Sequence, residues 1–422
     1  MKRARWNRWL GTILALVLAA SAQGQSVHVV AGDGSGDFTQ LYAAVNVAAD
    51  GDVILVRPHT ERYDFTIING KALTIVGDGA VRPRLKDIIV LNLPAGRNVT
   101  LRSLDLEGRA QVPSFPLPLQ KPGVHAKDDE GCVWLQDLVV LGGSGIPYWG
   151  GYEIGWPGLW ADGSDCIVVV DSTFTGGHGY WSIAGTAYAG GEGGVLDRSS
   201  VALHGSTFVG GEGGSGDVSY PGTGGIGLES SGSVVFASGS LVSGGDTGLL
   251  GAFAPVVPSA TGLFARDLST VEHLATTFAA GGGPAAPGTP LEIEAASTVE
   301  DLDDAHRALE VSAVVRELEA GLVSYSGEPG DLVLLRISSA PGWSFTLSLK
   351  GVQHLDAIAG ELFLGAAGPA GTLDVVFRAP PLPPGMEALT AFAQPFVAEA
   401  DGSLRLGAPS SVLIVDASIP LP

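Results

Sequence analysis

Four segments of this chain superimpose at a spacing of 34 residues: VWLQDLVVLGG from Val133, IVVVDSTFTGG from Ile167, VALHGSTFVGG from Val201 and VVFASGSLVSGG from Val234. Their glycine pairs fall at 142/143, 176/177, 210/211 and 244/245, and VTLRSLDLEG (99–108) fits one period earlier. A fixed period of this length marks a repeat architecture. The unit reads as strand, because β-branched residues alternate and Gly and Ser punctuate it. Val133, Ile167 and Val201 recur at one position, and Leu135, Val169 and Leu203 recur two residues on. Val140, Phe174, Phe208 and Val242 recur after a corner. A period of two inside the coil puts these residues on one face. A period of 34 between coils stacks like on like, about 4.8 Å apart. That is a parallel solenoid in which each coil contacts only its neighbours.

The flanking coils have other lengths. Strands at Asp52–Val56 and Ala72–Val76 lie about 20 residues apart, and Ser269–Glu272 recurs as Ser297–Glu300. Roughly nine coils fit between 52 and 305, the central four enlarged by Gly-rich loops. Phe38, Leu41, Val45 and Ala48 form a short apolar stripe, which predicts a helix covering the open end of the first coil. Beyond Pro284–Pro290 the pattern changes. A helix is expected around Ala305–Leu318, followed by strands at Asp331–Ser338, Ser344–Leu349, Thr372–Phe377, Leu389–Ala398 and Val412–Val415. Short strands separated by Gly/Pro turns suggest a small sandwich. It would serve as an attachment domain or as a passive cap on the solenoid. The expected organisation is a signal peptide (1–25), a β-helix (26–305) and a C-terminal β-sandwich-like domain (306–422).

Gly32–Phe38, Ala43-Ala44-Val45, Gly51–Ile54 and Leu73–Gly77, together with the coil consensus, resemble the start of pectin-lyase-like right-handed parallel β-helix proteins. The resemblance covers about residues 27–305. It implies an all-β, right-handed parallel β-helix with an N-terminal capping helix, in a superfamily of lyases, esterases, hydrolases, epimerases and inert fibres. Pro58–Tyr63 and Arg82-Pro83-Arg84 depart from the motifs of its enzymes, so no catalytic residue carries over.

The first residues read as a secretory leader. Lys2, Arg3, Arg5 and Arg8 precede an apolar run from Trp9 to Ala20, and Ala20-Ser21-Ala22 supplies the small-residue cleavage pattern. The run is too short to span a bilayer as a helix. The expected product is secreted, extracellular or in the cell envelope, with no integral membrane segment. Removing those four cations takes the formal charge from −21 to −25. Nucleic acid, which demands Lys and Arg against its phosphates, is a poor partner for such a chain. Export permits disulfides. Cys132 and Cys166 stand one period apart, where stacking would bring their Cα atoms into disulfide range, the alternative being two free thiols.

Ten of the fourteen Trp and Tyr residues beyond the leader lie between 134 and 220. Trp149, Tyr152, Trp156, Trp160, Tyr180 and Trp181 are the candidates for stacking against sugar rings, the alternative being that they pack the loops onto the wall. The residue after each glycine pair is Ser144, His178, Glu212 or Asp246. In register, His178, Glu212 and Asp246 would form a column able to act as acid and base, or to hold a hard cation such as Ca²⁺ through oxygen. The alternative is that polar residues simply suit turns. Glu192, Asp162 and Asp217 lie in neighbouring loops. Two functions remain open: a secreted protein that binds or cleaves polysaccharide as a lyase or hydrolase, and a non-catalytic structural or adhesion solenoid. An open cleft with converging polar groups would favour the first. Loops folded flat would favour the second.

Overall fold

The computed structural model describes residues 25–109, 122–145, 154–180, 187–215, 221–248, 259–283, 287–302, 304–345, 349–399 and 401–420. Residues 1–24, nearly all of the segment expected to be a signal peptide, lie outside them. Among the described residues the only helix is Leu41–Val47, and no helix is long and apolar enough to cross a membrane.

Three long parallel sheets run along the N-terminal two thirds of the chain. A ten-stranded sheet starts at Val27–Val30 and ends at Thr298–Asp301. An eight-stranded sheet runs from Thr66–Asn69 to Leu291–Ile293, and a seven-stranded sheet from Arg84–Lys86 to Thr277–Ala279. The register follows the sequence period: Val133 pairs with Ile167, Ile167 with Val201 and Val201 with Val235. Each strand thus reuses the position of the strand one coil earlier, and the inward residues merge into one apolar cluster. Phe174 and Phe208 show how closely like sits on like, their rings stacked 4.9 Å apart.

Each letter of the repeat has its own task. In Asp/Gly-Ser-x-Phe-x-Gly-Gly, the first residue turns the chain between two sheets in the left-handed region, at φ 55° for Asp137, 47° for Asp171, 56° for Gly205 and 60° for Gly239. Asp and Gly are among the residues that tolerate this conformation best. The following Ser is buried. Ser206 Oγ accepts from Ser172 N at 3.2 Å and donates to the His204 carbonyl at 2.9 Å, and Ser240 repeats both bonds one coil on. The corner backbone, which has no partner within its own coil, is satisfied by the next. Phe fills the core. Cys132 and Cys166 face each other in register, Cα atoms 4.6 Å apart, joined by a disulfide.

The two ends of the solenoid differ. At the start, Leu41, Ala44 and Val45 of the helix are buried in the same cluster as Val30, Ile54 and Ile68. At the far end the inward column Leu135–Val169–Leu203–Ala237 continues as His273 and Asp301, so apolar residues give way to polar ones. An inward-facing charge at a terminal strand opposes further stacking.

The region after 305 departs from expectation at its start. In place of a helix around Ala305–Leu318 the chain forms strands Ala308–Val311 and Val314–Arg316. Leu309 and Val311 alternate with exposed or half-buried residues, a period of two that no helix can bury. A three-stranded and a six-stranded sheet share an apolar cluster that includes Val323, Phe377, Leu335, Ala391 and Ile414. These sheets do not hang off the end of the solenoid. They cover the outer face of the ten-stranded sheet. Trp134 packs on Phe392 at 4.9 Å, Gln136 Nε2 donates to Ser410 Oγ at 2.9 Å, and Arg102, fully desolvated, donates to the carbonyls of Ser411 and Val311.

Candidate functional site

The Gly-rich loops of the central coils are built from two legs, one leaving the seven-stranded sheet and one returning to the eight-stranded sheet. Hydrogen bonds zigzag between the legs of successive coils. Gly177 N donates to Trp156 O, Gly191 N to Gly177 O, Gly211 N to Gly191 O, Gly225 N to Gly211 O and Gly245 N to Gly225 O, all at 2.7–2.8 Å. A Cβ on Gly177, Gly191, Gly211, Gly225 or Gly245 would lie on a backbone oxygen of the same leg one coil earlier. None of the five is in the left-handed region. Glycine is required here because backbone packs directly on backbone. The described parts of the loops therefore form a thin, flat slab.

His178, Glu212 and Asp246 ride on one leg of this slab. Gly145 N donates to His178 O at 2.9 Å, Gly179 N to Glu212 O at 2.8 Å and Gly213 N to Asp246 O at 2.9 Å. The three residues thus occupy successive rungs, about 4.8 Å apart, and all are exposed. His178 N donates to Ser144 Oγ at 3.3 Å, and Asp246 Oδ1 accepts from Gly282 N at 2.6 Å. None of the three enters an ion pair among the described residues. Among the described residues no group of three or more His, Cys, Asp or Glu could hold a metal ion.

The neighbours also hold one another. Asp162 pairs with Arg198 at 2.7 Å and with Lys127 at 3.3 Å. Burial raises the Glu192 carboxyl above its ordinary range. Asp217 lies outside the described residues, as do Trp149, Tyr152 and Trp181. Trp160 lies on the outer face of the eight-stranded sheet, in register with His125 on one side and Val195 on the other. Its ring stacks on His125 at 5.1 Å and meets Trp156 at 5.8 Å. The Trp160 face toward the preceding coil is therefore covered by a protein ring. Tyr180 is half-buried, and its carbonyl accepts from Tyr188 N at 3.2 Å.

One polar cluster has no counterpart in the sequence reading. His204, on the outer face of the ten-stranded sheet, meets His354 with their Nε2 atoms 2.9 Å apart. His306 Nδ1 lies 2.6 Å from Ser238 Oγ beside them. The first two rings are buried. Burial, then His354 and His306, hold His204 well below the usual imidazole range. Burial pushes His354 down to about 3, and burial with Arg307 pushes His306 down to about 4. No sequence spacing links residues 150 positions apart, so nothing in the repeat announced this cluster.

The chain matches no family model, no curated protein and no solved structure.

Proposed function

We propose that this protein is an exported, non-catalytic β-solenoid, a stiff structural or adhesion module of the cell surface or surroundings. In this reading the coil is right-handed, the Leu41–Val47 helix caps its first turn, and the C-terminal sheets are both cover and attachment region. The observation that carries the reading is the glycine slab. Its described legs lie flat, and His178, Glu212 and Asp246 stand in a row on it, in solvent and without a cationic partner among the described residues. Catalysis on a glycan needs groups converging on one bond and a donor or metal to stabilise developing charge. The stacking of Trp160 on His125 supports the same reading, because it closes one of the two Trp160 ring faces to a sugar. The C-terminal sheets, bonded along the ten-stranded sheet, stiffen the assembly further.

The competing reading, polysaccharide binding or cleavage through these loops, is tested with the full chain on a polysaccharide panel, with and without Ca²⁺. The expected outcome is no new reducing ends, no unsaturated products and no retention on immobilised glycans. Turnover or retention that disappears in Glu212→Ala or His178→Ala would overturn the structural reading and place a glycan on the column.

A further inference from the structure

We propose that His204, His354 and His306 form an acid-sensitive latch, which holds the C-terminal sheets on the ten-stranded sheet and releases them when the rings take up protons. The geometry of the pair carries the argument. A hydrogen bond between two Nε2 atoms needs one ring protonated there and the other bare. If both rings are doubly protonated, two N–H groups and two positive charges meet at 2.9 Å. The pair is split across the interface, His204 belonging to the solenoid and His354 to the strand Val352–Leu355.

Among the described residues, none supplies a compensating charge to the pair. Along the sheet His204 stands between Val170 and Ser238, with the Phe236 ring 5.7 Å away. From the C-terminal side come the Trp343 ring, 5.6 Å from His354, and Gln394, which accepts from His354 N at 2.9 Å and donates to Val352 O. His306 has Arg307 as its sequence neighbour, a like charge. The carboxylates beside Arg307, Asp331 at 2.6 Å, Glu399 at 3.0 Å and Glu328 at 3.7 Å, are paired with it. Asp171 lies across Gly205 from His306 and acts in the opposite sense. Loss of hydration, Glu310 and Asp137 raise it to about 6, so it binds a proton more readily folded than unfolded and stabilises the fold as pH falls.

The histidine signs are the reverse. Their native rings are held neutral, so their contribution is complete above the ordinary imidazole value of about 6.5 and falls as pH drops toward their native values. In that window each ring costs about tenfold per pH unit in the docking equilibrium. The solenoid and the C-terminal sheets each keep a separate apolar cluster, so release need not unfold either.

Hydrogen exchange of the full chain from pH 7.5 to 4, corrected for intrinsic rates, tests this. The expected result is loss of protection at Ser411 and Val27, whose N–H groups donate across the interface to Gln136 Oε1 and Glu387 Oε2, between about pH 6.5 and 4, with Trp134 fluorescence shifting red. Thr173–Thr175 and Thr207–Val209 in the seven-stranded sheet stay protected. A His204→Phe/His354→Leu variant is expected to release at least about one pH unit lower. His306→Asn, which keeps an acceptor for Ser238, is expected to shift in the same direction by less, and decides the matter should the double variant not fold. A face protected down to pH 4, simultaneous loss of the face and the seven-stranded sheet, or variants releasing at the wild-type pH would each overturn the latch.

Discussion

The coil walls and the loop slab repeat with the same period but are packed by opposite means. In the walls, stacked positions carry matching side chains, as Phe174 on Phe208, and stability comes from apolar surface removed from water. In the slab, stacked positions carry no side chain at all. Gly191 and Gly225 bring backbone onto backbone, and the gain is hydrogen bonds and dense contact. A wall position therefore suffers when atoms are removed, and a slab position suffers when atoms are added. The same tandem repeat thus encodes two materials.

Three substitutions probe this contrast. Gly225→Val should have the largest effect, above about 5 kcal/mol or no folded protein, because the new Cβ meets the Gly191 carbonyl, which cannot move without breaking the zigzag. Urea unfolding of the expressed protein measures it, and a loss below about 1 kcal/mol would mean the slab is not close-packed. Phe208→Ala should cost about 3–5 kcal/mol by leaving a cavity between Phe174 and Val242. The same denaturation curve checks it. Ser206→Ala should be the mildest, about 1–3 kcal/mol, since it strands the buried Ser172 N–H. Its signature is local: amide exchange at Ser172 should rise far more than at Leu135.

The repeat was legible because each coil reports on the next. Cys132 and Cys166 could be placed one above the other, and the Val, Leu and Phe columns assigned, from spacing alone, while the choice between a disulfide and two thiols came from the structure. The column His178–Glu212–Asp246 was equally legible as a position, and the structure sets it on successive rungs. The cover over the ten-stranded sheet was missed, although a signal was present. CVWLQ and CIVVV are buried on both faces and read as continuous apolar runs, as strands covered on both sides do. The first strands after 305 were mistaken for helix because propensity in a mixed segment is weak, and pairing with Ala320–Ser326 and Ser410–Val415 overrides it. Composition placed the aromatics near the loops but could not show that Trp160 stands on a strand with one ring face stacked on His125.

By itself the sequence determined the period, the strand character of the coils and the inward columns, since all of these are local or recur at constant spacing. Only the tertiary structure decided what lies on the outside of the coils. Which face the C-terminal sheets cover, where Arg102 finds its acceptors, and that His204 meets His354 depend on contacts between segments with no shared period. Such contacts arise from the fit of two finished surfaces, and that fit exists only once both have folded.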